Sequence, residues 1–128
     1  MTRYSKGARS ERELLAILHG KGYSVIRSAG SGVSSTSPPD LIAIRAGRGI
    51  AFECKAWEST SIAIDPEKYL ALLNWQENTK MDTFIGWRMN GEGWFFMKLG
   101  ELYKADKNYT ITMKEAKRIN RGLDLITG

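Results

Sequence analysis

Two short apolar runs, Leu41-Ile42-Ala43-Ile44 and Ala51-Phe52-Glu53-Cys54-Lys55, are separated by a break at Arg45-Ala46-Gly47-Arg48-Gly49 and by Ile50. β-prone residues on either side of a glycine-containing break read as two strands joined by a turn. Side chains alternate along a strand, so Glu53 and Lys55 share one face, roughly 6–7 Å apart, while Phe52 and Cys54 point into a core. Pro39-Asp40 opens the first run, with twelve residues between Asp40 and Glu53. A twisted hairpin of this kind brings Asp40 beside Glu53. Two carboxylates and an ammonium on one face suit a hard divalent cation and the charge that develops on phosphorus in phosphodiester hydrolysis. A plain structural reading stands beside this one. Asp after Pro-Pro commonly serves a turn, and Glu and Lys two apart are common on an exposed strand.

The charge balance extends the argument. A net charge of +5 over 128 residues favours a polyanionic partner, and that length suits one domain spanning residues 1–128. A single cysteine excludes an internal disulfide and a cysteine-based zinc site. The single histidine, His19, falls in an expected helix and reads as a surface residue, so Cys/His nucleophilic catalysis has no support. The segment Met-Thr-Arg-Tyr-Ser-Lys at the start lacks the apolar centre of a signal peptide, and no run reaches membrane-spanning length. The chain is expected to be soluble and cytoplasmic (in the host cytoplasm if its source is a virus), with no membrane partner.

Along the chain, Arg9 to Lys21 is expected to be helical, with Leu14, Leu15 and Leu18 forming an apolar stripe. Glu11 projects into the middle of that stripe and Arg12 onto its flank. A carboxylate centred on a buried face requires a partner, either a metal or a nearby basic residue. Ser10-Glu11-Arg12-Glu13 matches a capping box, which makes Glu13 structural; if the helix starts earlier, near Ser5, that cap disappears while the facing of Glu11 survives. Tyr23–Arg27 reads as a first strand. The hydroxyl-rich stretch Ser28–Pro38 is either a solvated connection or a segment whose serines and backbone N–H groups meet phosphate oxygens.

Residues Ala56 to Ser61 read as irregular. Asp65-Pro66-Glu67 looks like an N-cap with proline at the first helical position, starting a helix to about Lys80. Tyr69, Leu70, Leu72, Leu73 and Trp75 on it are expected to be mostly core, with a helix–helix dimer contact as the alternative. Thr83–Arg88 and Trp94–Lys98 form a hairpin signalled by Asn90-Gly91, with Trp87 and Trp94 as cross-strand packing. Leu99 to Asn108 carries no clear pattern. A short strand over Tyr109–Ile111 and a second capping box, Thr112 to Glu115, precede a terminal helix. Lys114, Lys117, Arg118 and Arg121 fall on one face of it, either solvated or set against phosphates. The expected architecture is α/β: one domain with a central mixed β-sheet flanked by helices, the layout of a restriction-endonuclease-like PD-(D/E)xK nuclease core.

The chain resembles archaeal-type (Hjc-type) Holliday junction resolvases over most of its length. The resemblance rests on Lys6-Gly7-Ala8 with Glu11-Arg12-Glu13-Leu14-Leu15, on Gly22 through Ser31, on Pro39 through Ala43, on Glu53-Cys54-Lys55, and on Gly93-Trp94-Phe95-Phe96. It implies metal-binding carboxylates at Glu11, Asp40 and Glu53, a catalytic lysine at Lys55, and a serine contributing to activity at Ser31. It places the family's arginine on Arg12. Arg12, Arg27, Ser28, Ser31 and Ser34 are the expected DNA contacts. The implied cofactor is Mg²⁺, with Mn²⁺ able to substitute, and the implied partners are four-way branched DNA and a second copy of the chain. The last thirty residues carry no family weight. A duplex-cutting enzyme of restriction or repair type and a junction-binding protein that does not cut remain the rival readings.

Overall fold

The computed structural model describes residues 3–28 and 36–128. Helix α1 (Arg3–Gly20) leads into strands β1 (Ser24–Arg27), β2 (Leu41–Arg45), β3 (Arg48–Lys55) and β4 (Ser61–Ile64). Helix α2 (Pro66–Thr79), strands β5 (Asp82–Met89) and β6 (Gly93–Lys98), and a short 3-10 turn at Leu99–Glu101 follow. Strands β7 (Tyr103–Ala105) and β8 (Asn108–Thr112) then precede helices α3 (Met113–Ile119) and α4 (Leu123–Thr127). The main sheet has the order β1-β2-β3-β5-β6, and β4-β8-β7 form a second, three-stranded sheet. The β3–β5 pair is parallel and its neighbours are antiparallel, so the expected mixed sheet is present.

Each face of the main sheet has its own core, as strand alternation requires. On one face Leu14 and Leu18 of α1 and Ile126 of α4 pack with Leu41, Ala43, Ile50, Phe52, Phe84 and Phe96. On the other, Tyr69 and Leu72 of α2, Ile62, Ile64 and Ile111 of the small sheet, and Ala116 of α3 cover Ile85, Trp87 and Met97. Burying an aliphatic side chain of this size contributes about 1.5–3 kcal/mol. Among the described residues no helix is long and apolar enough to cross a membrane.

Helix α1 begins well before Ser10, whose hydroxyl donates to the Gly7 carbonyl at 2.8 Å from inside the helix. The capping box there does not form. Glu13 is structural for a different reason: it accepts hydrogen bonds from Arg88 Nε at 2.8 Å and Trp94 Nε1 at 2.7 Å, fastening α1 to the β5–β6 hairpin. Helix α2 begins as expected, with the Asp65 side chain accepting from Lys68 N and Pro66 inside the first turn. Leu70 and Leu73 on it, however, are 48% and 38% exposed rather than core.

The β5–β6 loop holds three residues, since Met89 pairs with Gly93. A directly facing Trp87–Trp94 pair would need a loop of two. The extra residue places Trp94 opposite Arg88 and Trp87 opposite Phe95, so the two tryptophans pack on opposite faces. The terminal helix is also broken. Asn120 adopts a left-handed conformation (φ 49) and ends α3, so Arg121 does not continue the lysine face but pairs with Glu101.

Candidate active site

The β2–β3 hairpin closes through two residues, Ala46 (φ 51) and Gly47 (φ 81), between the paired Arg45 and Arg48. Positive φ at both positions marks a turn whose twist matches the flanking strands. It sets Leu41 opposite Phe52, and one step further Asp40 comes level with Glu53. The Asp40 carboxylate accepts the Cys54 backbone N–H at 2.8 Å. The Asp40 carbonyl accepts the Ser28 N–H at 2.9 Å, which ties β1 to the same point. Glu53 and Lys55 lie on the face covered by α2 and the small sheet, with Glu53 buried and Lys55 half-buried.

Helix α1 brings Glu11 to this point from the other face. The side chain is partly buried and takes a hydrogen bond from Arg27 Nε at 2.9 Å. The basic partner that its position demanded is therefore Arg27, on β1. Burial, followed by the charge of Asp40, still holds the Glu11 carboxyl above its ordinary value, against the pull of Arg27 and Arg12. The Cys54 thiol is pushed well up by burial and then by Asp40, Glu11 and Glu53 together. Cys54 is half-buried against the α1 face of the sheet.

Glu53 is the extreme case. Burial and then Asp40 raise its pKa to about 8, opposed by Lys68 and Lys55. Its Oε1 is buried without a hydrogen-bond partner; Lys68 Nζ stands 3.5 Å away, an ion pair at a distance too long for a strong hydrogen bond. Lys68 was not among the expected site residues. Its position on a helix reads as solvated, and the groups that hold it lie about thirty residues away in sequence. No local pattern announces it.

Two carboxylates side by side, one of them bearing an orphaned buried oxygen and made costlier to ionise by burial and by Asp40, are the donor set a divalent cation relieves. Asp40 and Glu53 fit such an ion. Among the described residues, no group of three or more His, Cys, Asp or Glu side chains stands close enough to form a ready-made cage, and Glu11 is turned toward Arg27. Arg12 is exposed on the same helix. Ser28 lies at the end of β1 with its Oγ buried and unpartnered. Ser31 and Ser34 lie outside the described residues.

A family model described as archaeal Holliday junction resolvase (Hjc) matches residues 2–127. The chain belongs to this family. It is 38% identical over 110 residues to the crossover junction endodeoxyribonuclease Hjc of Methanocaldococcus jannaschii, covering 85% of this chain and 77% of the relative. It is 29% identical over 107 residues to the Archaeoglobus fulgidus protein of the same name, covering 84% and 79%. The crystal structure of Archaeoglobus fulgidus Hjc, a Holliday junction resolvase, superposes with a TM-score of 0.85 at 24% identity, over 95% of this chain and all of that one. A bacterial homing endonuclease shares the fold more distantly, with a TM-score of 0.57 at 14% identity over 88% of this chain and 75% of that one. This chain thus shares the fold of that Hjc structure, with Asp40 just ahead of β2 and Glu53 on β3.

Proposed function

We propose that the protein is a structure-selective endodeoxyribonuclease that resolves four-way DNA junctions by metal-dependent phosphodiester hydrolysis, acting as a single nuclease domain in the cytoplasm. The observation that carries this reading is the meeting of Asp40 and Glu53 across the β2–β3 hairpin, with Lys55 on the same face, in a chain whose relatives are named crossover junction endodeoxyribonucleases. Asp40 and Glu53 would hold the cation, with Glu11 nearby. When bound, Mg²⁺, or Mn²⁺ in its place, supplies Lewis-acid activation of a water and of the scissile phosphate. Lys55 offers its ammonium to the attacking water or to the charge developing on the phosphoryl oxygens. Arg12, Arg27 and the serines Ser28, Ser31 and Ser34 hold flanking phosphates, contacts that position DNA without reading sequence.

Paired cuts on opposing strands require two such sites, so the working form is a homodimer. Its surface draws on the exposed apolar residues of β1, β2 and α2. There Ile26 is 59% exposed, Ile44 is 39% exposed, and Leu70 and Leu73 stand out from α2. Leu70→Glu with Leu73→Glu is expected to give a monomer by sedimentation.

The test of function is cleavage of a labelled four-way junction beside a linear duplex of the same arm sequence, with Mg²⁺ and with chelator. Asp40→Asn serves as the control for contaminating nucleases. Paired symmetric cuts in the junction and an intact duplex are expected. Equal cutting of both substrates would make the protein a general duplex nuclease, and binding without cutting would make it a junction-binding protein.

A further inference from the structure

Lys68 is a cation inside an acidic site, and its surroundings show what it is fastened to. Its Nζ donates to the Pro38 carbonyl at 2.7 Å and to Ser37 Oγ at 3.1 Å, and stands 3.5 Å from Glu53 Oε1. The Lys68 side chain is only 14% exposed. A lysine loses its hydration and its rotamer freedom on such burial, so a position of this kind must be held by specific contacts. The two shortest are to the segment that enters β2, directly ahead of Pro39 and Asp40.

The base of the side chain is fixed as firmly as its tip. Lys68 sits in the first turn of α2, its N–H capped by Asp65 at 3.0 Å. The next residue, Tyr69, anchors the helix through its hydroxyl to the Leu99 carbonyl at 2.7 Å, and Leu72 one turn on is fully buried. A rigid origin on α2 and a tip bound to Ser37 and Pro38 make Lys68 a brace between α2 and the approach to Asp40. Glu53 projects from β3 against the same ammonium.

We propose that Lys68 is a positioning residue that sets the placement of Asp40 relative to Glu53, and so the affinity of the site for a divalent cation. This rests on the metal-binding reading above. Groups that orient metal ligands from behind typically change metal affinity about 10–100-fold when removed. A lysine that merely pinned the helix would change stability alone.

The test is calorimetric titration of Mn²⁺ into the DNA-free protein, comparing wild type with Lys68→Met, which keeps the stem and removes the donors. Lys68→Met is expected to bind Mn²⁺ about 10–100-fold more weakly, and to need correspondingly more metal for half-maximal cleavage, with its junction affinity in chelator unchanged. Lys68→Arg, which keeps both charge and donors, is expected to recover much of the loss. Unchanged Mn²⁺ affinity in Lys68→Met, even with a lowered melting temperature, would overturn the proposal. Tighter binding would also overturn it and make the lysine a competitor for the metal. Should Lys68→Met lose its circular dichroism signature of folding, Lys68→Gln takes its place with the same expectation. A wild-type protein that binds no Mn²⁺ would instead bring down the metal-binding reading itself.

Discussion

Glu53 and Glu115 each face a cation carried by a helix, and their carboxyls move in opposite directions. Glu115 is drawn below its ordinary value by the hydrogen bond from Arg118. Glu53 is raised to about 8 by burial and Asp40, even with Lys68 beside it. The side chains of the first pair are 39% and 71% exposed, and those of the second 8% and 14%. Water screens an exposed pair and solvates either partner alone, so the pair contributes little. In the interior, desolvation outweighs what one lysine returns. The difference separates a decorated surface from a site under electrostatic tension, and only the second has a use for a divalent ion.

The sharpest way to break this comparison is to neutralise the buried side. Asp40→Asn and Glu53→Gln are each expected to lower junction cleavage at least about 10²–10³-fold while leaving junction binding in chelator intact, as read by gel shift. Lys55→Ala is expected to cut the rate by a similar factor; loss of binding with it would make the lysine a DNA contact rather than a catalytic group.

A smaller effect is expected in the pH dependence of stability. The folded pKa of Glu53, about 8, lies above its ordinary 4.5. Between those values the folded protein holds a proton that the unfolded chain has released. Stability in chelator should therefore fall as pH rises from about 5 to 8. Glu53→Gln should flatten that slope, and chemical denaturation at a series of pH values would show whether it does. The smallest effect belongs to the exposed pair. Arg118→Ala is expected to leave the denaturation midpoint and the cleavage rate unchanged.

The same contrast explains how much of the molecule could be read in advance. Glu53 and Lys55 were legible because strand parity fixes which side chains share a face. The turn expected over Arg45–Gly49, however, closes through Ala46 and Gly47 alone, and it is this shorter turn that brings Asp40 level with Glu53. Glu11 was legible because a carboxylate in the middle of a leucine stripe violates the helix pattern. The small sheet was largely missed. Strand β4 does alternate, with Ile62 and Ile64 buried between exposed neighbours, but it is only four residues long. Strand β7 is three residues, all exposed, and exists by pairing rather than by pattern. The break in the terminal helix had a signal in Asn120 and Gly122, residues suited to ending helices, which the spacing of the lysines overshadowed. Lys68 had none, since its strongest contact is a backbone carbonyl supplied by another part of the fold.

The two-residue turn at Ala46-Gly47 works as a ruler for the chemistry. Asp40 and Glu53 meet because the path between them is counted out by a ladder of paired residues, and a ladder admits only whole steps. One residue added at the tip would slip the strands by one position, and slipping by one exchanges the two faces of a strand. The β5–β6 hairpin shows the result, where a third loop residue sends Trp94 to the face opposite Trp87. For that reason an insertion at Ala46-Gly47, on the surface and remote from the carboxylates in sequence, should be as damaging to cleavage as the loss of a carboxylate. The length of this turn is part of the active site.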